Sequence, residues 1–255
     1  FIYNWCTMAN HIFLIKIYTK KIPGQWQLME GKSHEIIQIL NNLSENVYIK
    51  GTKKGYLLED RESKMTFSLD LDEYDSIIKQ NKKHIINKIF KKGHSRVLDC
   101  TGGFARDSAI ISSLGNSVTM IEQNPLIMKV LMDAVGRIKN YNIGLIFEKI
   151  TTKLGNCLDY IKTTNKVFDY IYFDFMFNTK KNALPSKREQ FLRMITSNNI
   201  DINRDIIEEV LQRVGCKVII KEHVKSDDYK HFDIINTYKE RVVKYHLLQG
   251  KNEYY

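Results

Sequence analysis

The sequence predicts an α/β fold built on a mostly parallel, doubly wound sheet with a terminal antiparallel strand. From Arg96 onward, short apolar segments alternate with helical patterns of three or more turns, which is typical of strands and helices in alternation. The apolar segments, such as "YIYFDF" and "KVIIK", are continuous, as in strands buried on both faces. The last two segments, "DIINTY" and "VVKYHLL", predict a hairpin around Glu240 and Arg241.

The individual elements of this second part follow from its apolar segments. The strands are predicted at "RVLDC", "SVTMIE", "KITTKL", "YIYFDF" and "KVIIK". Helices are predicted to begin near Arg106 and Pro125, followed by a short helix near Cys157 and another around Arg204 to Arg213. Proline suits the first position of a helix, which supports the start at Pro125.

The first part of the chain has a mixed pattern that predicts a small α+β unit over residues 1–73. Strands are expected at "HIFLIKIY", "NVYIKG", "YLLED" and "MTFSLDL", with a helix at "SHEIIQILNNL". A helix over Tyr74–Lys92 then leads into the second unit, residues 74–255, because its isoleucines share one helical stripe. The chain begins at Phe1, and Met8 is a candidate natural start.

Composition and charge restrict the function classes. The chain has 255 residues, of which 43% are hydrophobic, and 39 Lys and Arg against 29 Asp and Glu give a net charge of +10. Such a charge suits a polyanion such as nucleic acid, although biased composition alone also produces it. The four cysteines lack metal-ligand spacing, which predicts a cytoplasmic protein without structural metal. No apolar segment reaches the length of a membrane span.

The first candidate ligand site is the turn in "VLDCTGGFARD". Asp99 ends a strand, and Gly102 and Gly103 permit a tight turn and the close approach of a ligand. The amide groups at the start of the following helix would face that ligand. With only two glycines, a plain strand-to-helix turn fits the segment equally well.

Acidic residues also end two further strands. Glu122, in "MIEQNP", follows Asp99 by about 20 residues, the spacing at which an acid binds ribose hydroxyls, or it merely precedes the helix at Pro125. Asp174 is followed by Phe175 and Phe177, an arrangement that suits group transfer to the exocyclic amine of a stacked base. Either phenylalanine alone is more often a core residue. Ligands bind at the carboxyl ends of strands in such sheets, so these acids are expected to converge.

Together these motifs resemble the class I S-adenosylmethionine-dependent methyltransferases, and more closely the ribosomal RNA small subunit methyltransferase J family. The likeness extends with gaps from about residue 36 and is strongest between Val97 and Glu189. It rests on "VLDCTGGFARD", on "IEQNP", and on "YFDFMF" followed by "KKNALPSKRE", the most specific segment. The resemblance implies a Rossmann-like fold, S-adenosylmethionine as cofactor, and methylation of the guanine N2 amine in bacterial small-subunit (16S) ribosomal RNA.

The resemblance also implies a set of site residues. Besides Asp99, Gly102 and Gly103 of the turn, the implied cofactor contacts are Arg106, Asp107, Glu122, Gln123, Asn156, Cys157 and Asp174. Asp174 and Phe177 are expected to be catalytic, with Asp174 accepting hydrogen bonds from an amine held against Phe177 or Phe175. RNA phosphates would be bound by Lys180, Lys181, Lys187 and Arg188, with Arg193, unless these residues form only a solvated basic face.

The expected partner is ribosomal RNA or the small ribosomal subunit, bound by a monomer without metal or membrane. Two alternatives remain open at this stage. One is a methyltransferase for another amine, in DNA or in a small molecule. The other is a catalytically weakened RNA-binding protein that keeps the cofactor pocket, because Phe175 and Asn178 stand where the family carries prolines that stiffen this loop.

Overall fold

The computed structural model describes residues 17–22, 25–29, 37, 41, 46–80, 85–90, 93–176, 186–196 and 200–252. Its main feature is a seven-stranded sheet in the order β11-β12-β10-β9-β6-β7-β8. These strands are β6 (Arg96–Asp99), β7 (Ser117–Glu122), β8 (Ile150–Leu154), β9 (Tyr170–Phe173), β10 (Lys217–His223), β11 (Asn236–Lys239) and β12 (Val243–Gln249). Neighbouring strands from β8 to β10 are parallel, while β12 runs antiparallel to β10 and β11. The predicted sheet with its terminal hairpin is therefore confirmed.

Helices connect the strands and cover both faces of the sheet. They are α1 (Tyr74–Gln80), α2 (Ile86–Ile89), α3 (Arg106–Ser113), α4 (Pro125–Val135), α5 (Tyr141–Phe147), α6 (Cys157–Thr163), α7 (Lys187–Ile195) and α8 (Ile200–Arg213). The predicted starts at Arg106, Pro125 and Cys157 are correct. Helix α4 begins as its sequence suggests, because the Asn124 side chain accepts hydrogen bonds from two amides of the first turn. In the described residues, no helix combines the length and the apolar character needed to cross a bilayer.

The alternation of side chains along the strands divides the core between the two faces of the sheet. Val97 and Ile219 face a cluster that includes residues of α3, α4, α5 and α7. Leu98 and Ile220, one position further along, face a second cluster with residues of α6 and α8. Because both faces are covered, the central strands β6, β7 and β9 are mainly apolar, and polar groups gather where these strands end.

The first part of the chain contributes two small antiparallel sheets. The strands β1 (Ile17–Ile22) and β2 (Gln25–Met29) form one hairpin. The other sheet has the order β3 (Val47–Thr52), β4 (Gly55–Asp60) and β5 (Thr66–Phe67). This second sheet shares the first core cluster, and the Phe67 ring lies 5.5 Å from that of Phe104 and 5.8 Å from that of Phe191. The division of the chain at residue 73 stays a prediction.

The predicted continuous helix over Tyr74–Lys92 is wrong. Ile85 lies in a turn, and α2 ends at Ile89. The Ile85 amide donates a hydrogen bond of 2.8 Å to Oε1 of Glu240, a residue of the β11–β12 turn, instead of to a helical carbonyl. The residues between the two helices, 81–84, lie outside the described residues, as do most of the predicted elements at "HIFLIKIY" and "SHEIIQILNNL". Strand β2 and helix α5 were not expected.

Candidate active site

The candidate site lies where the parallel strands β6, β7, β9 and β10 end. Asp99 and Glu122 close β6 and β7, Asp174 directly follows β9, and Lys221 lies in the last half of β10. Since these strands are parallel, their carboxyl ends share one edge of the sheet, as expected from the sequence. The acids predicted to converge are therefore at the same edge.

The turn after β6 is organised by its acid and its two glycines. Asp99 Oδ1 accepts from the Thr101 amide at 3.0 Å, and Asp99 Oδ2 accepts from the buried Ser108 hydroxyl at 2.6 Å. A Cβ on Gly102 would lie 2.5 Å from Met120 Cγ, so the turn is pressed against β7. Gly103 has a φ of +52°, and a Cβ there would be in ordinary van der Waals contact, with Leu192 of α7 the nearest neighbour at 3.8 Å. The turn is thus tightly packed against β7 at Gly102 and more loosely packed against α7 at Gly103.

The start of α3 leaves its first amides without a side-chain cap. Ala105, the residue before the helix, has the left-handed φ of +62°, which alanine rarely adopts. Arg106 begins the helix and is exposed, whereas the Asp107 side chain points toward the sheet. An uncapped helix start beside a glycine turn is a suitable place for polar groups of a ligand.

Glu122 links this turn to the next connection. It is 5% exposed, and its carboxylate accepts from the Gly103 amide at 2.7 Å and from the Asn124 amide at 2.6 Å. Burial raises the pKa of Glu122. Each oxygen keeps a further lone pair, so the carboxylate can still accept from two ribose hydroxyls. Gln123, the neighbouring predicted contact, is exposed at the same edge.

Lys221 forms the centre of a charged cluster between β9, β10 and α3. Its Nζ donates to Asp107 Oδ2 at 2.8 Å and to Asp174 Oδ2 at 2.6 Å. The Tyr172 hydroxyl donates to the same Asp107 oxygen at 2.6 Å. Burial opposes ionisation of Asp107, but Lys221 and the tyrosine outweigh it and hold the pKa of that carboxyl below its usual range.

Asp174 is held at its backbone and at its side chain. Its amide donates to Thr101 Oγ1 at 2.7 Å, and its side chain is 29% exposed beside Lys221. Burial raises the pKa of Asp174 to about 7, with Asp107 and Asp99 adding to the shift and Lys221 opposing it. The carboxyl therefore titrates near neutrality, the range in which a group both accepts and releases protons.

The residues after Asp174 only partly support the expected binding of a base. Phe175 stacks on Phe173 at 5.1 Å between ring centroids and packs against the second core cluster, so the core interpretation holds for this ring. Phe177, Lys180 and Lys181 lie outside the described residues, and their predicted roles stay predictions.

Asn156 and Cys157 lie after β8, close to Glu122. The Gly155 amide donates to the Glu122 carbonyl at 2.9 Å, which places this loop beside the turn after β7. The Asn156 side chain accepts from the amides of Leu158 and Asp159 and caps α6. Cys157 is buried, and its local role is to begin that helix. The geometry thus gives both residues a structural role and brings them to the edge of the site.

Of the predicted RNA-binding residues, Lys187 and Arg188 begin α7. Lys187 is exposed, and the Arg188 guanidinium lies 5.8 Å from the Tyr74 ring centroid. Helix α7 starts with a capping box between Ser186 and Glu189, which fixes its first turn. Since Leu192 is the nearest neighbour of a Cβ placed on Gly103, helix α7 borders the glycine turn.

Sequence reasoning missed four residues that shape the site: Thr101, Ser108, Tyr172 and Lys221. The Ser108 and Tyr172 hydroxyls donate hydrogen bonds to the carboxylates of Asp99 and Asp107. The Thr101 hydroxyl accepts a hydrogen bond from the Asp174 amide. Lys221 left one visible signal, since it is a lysine inside the apolar strand "KVIIKEH".

These residues fit S-adenosylmethionine. The cofactor has vicinal ribose hydroxyls, which suit Glu122, and a glycine turn without Cβ atoms suits its close approach. It also carries an ammonium and a sulfonium, which suit the carboxylates of Asp107 and Asp174. Within the described residues, no group of three or more His, Cys, Asp or Glu could hold a metal ion.

The strand order and the acid-and-glycine turn at its centre define a class I S-adenosylmethionine-dependent methyltransferase. The chain belongs to the SAM-dependent methyltransferase family, which it matches over residues 25–245. S-adenosylmethionine is therefore its cofactor. The resemblance inferred from the motifs is confirmed.

Individual relatives agree with this assignment. The ribosomal RNA small subunit methyltransferase J of Buchnera aphidicola subsp. Schizaphis graminum is 27% identical over 241 residues, which are 87% of this chain and 94% of that protein. The protein of the same name from Francisella tularensis subsp. novicida is 24% identical, over 78% of this chain and 88% of its own length. The crystal structure of a SAM-dependent methyltransferase from Neisseria gonorrhoeae has the same fold, with a TM-score of 0.65, 17% identity, and coverage of 85% of this chain and 92% of that one.

Proposed function

We propose that this protein methylates the N2 amine of a guanosine in small-subunit ribosomal RNA. The observation that carries the proposal is Asp174, a partly exposed carboxylate after β9 that lies between Thr101 and Lys221 and titrates near neutrality. The similarity to ribosomal RNA small subunit methyltransferase J proteins supports the substrate, and the net charge of +10 suits RNA.

The proposed roles follow from the residues in place. When bound, S-adenosylmethionine supplies an electrophilic methyl group on a sulfonium, so no metal is needed. Glu122 would accept hydrogen bonds from the ribose, and Asp107 would face the ammonium. Asp174 would accept a hydrogen bond from the guanine amine and orient its nitrogen lone pair, and the proton would leave to Asp174 or to water.

The RNA would be bound around α7. Lys187 and Arg188 begin α7, whose Leu192 lies beside the glycine turn, and they would contact phosphates on either side of the target nucleotide. Phe177, together with Lys180 and Lys181, would complete this surface. A paired guanine would have to be turned out of its stack before the carboxylate could reach its amine.

The test of the reaction is methyl transfer to unmodified small-subunit ribosomal RNA made by transcription, followed by mass spectrometry of the digested nucleosides. We expect N2-methylguanosine from the wild type, a loss of at least about 100-fold in kcat for Asp174→Ala, and wild-type rates for Asp205→Ala, an exposed carboxylate on α8. A different methylated nucleoside would contradict the guanine target, and full activity of the Asp174 variant would remove that residue from the mechanism.

The cofactor site has a separate test that needs no RNA. Calorimetric titration with S-adenosylmethionine should show binding by the wild type and a loss of at least about 10-fold in affinity for Glu122→Ala, because two hydrogen bonds to a charged acceptor disappear. The Asp205→Ala protein is again the control. Equal affinity of all three proteins would contradict the assignment of Glu122. A cytoplasmic location and a monomeric state stay predictions.

A further inference from the structure

Lys221 has an unusual position for a lysine. It belongs to β10, a strand whose neighbouring residues Val218, Ile219 and Ile220 are fully buried, and its own side chain is only 15% exposed. It lies opposite Tyr245 of β12 and reaches two carboxylates that come from different elements, Asp107 of α3 and Asp174 after β9.

A contribution to stability alone does not explain why a lysine occupies this buried position. Removing a cation from water is costly, and buried ion pairs are often no better for stability than apolar residues of the same size. Without the cation, the two carboxylates that share Lys221 would repel each other, and one of them would take up a proton. The lysine therefore determines whether both acids are present as anions.

We propose that Lys221 is a positioning residue for methyl transfer, which binds Asp107 and Asp174 through one ammonium group and favours the ionised form of both. This inference rests on the proposed function, in which Asp107 faces the cofactor and Asp174 faces the substrate amine. One cation thereby joins the two halves of the site. An ionised Asp174 can accept a hydrogen bond at both oxygens, whereas a protonated one must use an oxygen to donate.

The surroundings of Asp174 make its charge depend on this contact. The other titratable side chains that act on Asp174 or share its cluster are Asp107 from α3, Asp99 from β6, Tyr172 from β9 and Tyr245 from β12. Burial and the carboxylates raise the pKa of Asp174, and Lys221 lowers it. Loss of the lysine should therefore raise this pKa further, so that Asp174 is protonated at neutral pH.

The kinetic test compares Lys221→Met with Lys217→Met, a matched control in which an exposed lysine at the other end of the same strand is replaced. In Lys221→Met, the acid limb of the profile of kcat against pH should move to higher pH by about 1 to 3 units, because a nearby opposite charge lowers the pKa of a carboxyl by this amount. The kcat of this variant should fall by at least about 5-fold at pH 7 and recover at high pH. Lys217→Met should match the wild type, and Lys221→Arg should keep the wild-type limb.

A second measurement does not depend on activity. The side-chain carboxyl ¹³C signal of Asp174, assigned by its absence in Asp174→Asn, should titrate at higher pH in Lys221→Met than in the wild type. Lys221→Gln, which keeps hydrogen-bonding groups but no charge, replaces the methionine variant if that variant fails to fold.

The two measurements separate the possible failures. If the wild type methylates RNA but the acid limb and the carboxyl titration are the same without Lys221, the lysine is merely structural and the inference is overturned. A kcat lowered equally at every pH leads to the same conclusion. If the wild type methylates no RNA, the proposed function fails, and the carboxyl titration alone decides the role of Lys221.

Discussion

Replacing Asp99 by asparagine should stabilise the protein at alkaline pH. Asp99 is 2% exposed, and burial raises its pKa to about 6. Asparagine can keep both contacts, because its carbonyl oxygen can accept from the Thr101 amide and its NH₂ group can donate to the Ser108 hydroxyl. The variant thus removes a buried charge and keeps both contacts, with the Ser108 hydroxyl accepting where it now donates.

The size of the effect follows from the pKa. An aspartate in an unfolded chain titrates near 3.9, so the folded state raises the value by about 2 units, which corresponds to about 3 kcal/mol. Because the folded state binds this proton more tightly, the wild type loses that stability as the pH rises from about 4 to about 6. The advantage of Asp99→Asn should be near zero at pH 4 and reach about 3 kcal/mol above pH 7.

Urea unfolding of both proteins between pH 4 and pH 8 measures this difference. Asp205→Asn is the matched control, since its carboxylate is exposed on α8 and its replacement should leave the pH dependence unchanged. A difference between Asp99→Asn and the wild type that stays constant over this range would refute the reasoning. The same variant also tests function, because a neutral residue at this position changes the charge of the cofactor site.

Two further predictions concern packing and a second buried ion cluster. Gly102→Ala should lower the free energy of unfolding by about 1 to 3 kcal/mol, because the added Cβ meets Met120. Gly103→Ala should lower it by only about 1 kcal/mol, because the cost there comes from the left-handed backbone. Urea unfolding of both variants measures these differences. Burial raises the pKa of Glu222, but hydrogen bonds from His246, Ser226 and Lys244 outweigh burial and lower this pKa to about 2. The stability that ionised Glu222 contributes is present above pH 4.5 and is lost as the pH falls toward 2. Glu222→Gln should therefore lower the free energy of unfolding by about 3 kcal/mol at pH 7 and by progressively less in acid. Thermal unfolding measures this difference, and a cost that does not depend on pH would contradict the prediction.

The parts of the fold that could be predicted depend on local patterns. Continuous apolar strands alternating with helices predict a parallel sheet, and the parallel order alone places the acids at the strand ends on one edge. The convergence of Asp99, Glu122 and Asp174 is a consequence of that order. The helix start at Pro125 was also predictable from the local sequence, because proline suits the first position of a helix.

The parts that could not be predicted depend on contacts between distant segments. Lys221 is one of 39 Lys and Arg in the sequence, and its partner Asp107 lies 114 residues away. The break before α2 has the same origin, since the Ile85 amide bonds to Glu240, 155 residues further along the chain. The isoleucine stripe of that segment gave no sign of this contact. Two of the missed features, the role of Lys221 and the break before α2, therefore depend on the last strands of the sheet.

The late position of β10 and β12 in the chain affects when the site can form during synthesis. Asp99 and Asp107 are made early, but the lysine that neutralises Asp107 follows more than a hundred residues later, and β12 must then insert between β10 and β11. Contacts of such long sequence separation form slowly, because the chain must close a large loop first. A nascent chain that ends before β10 therefore exposes an uncompensated acidic edge. Affinity for the cofactor should accordingly be acquired in a single late step, together with completion of the sheet.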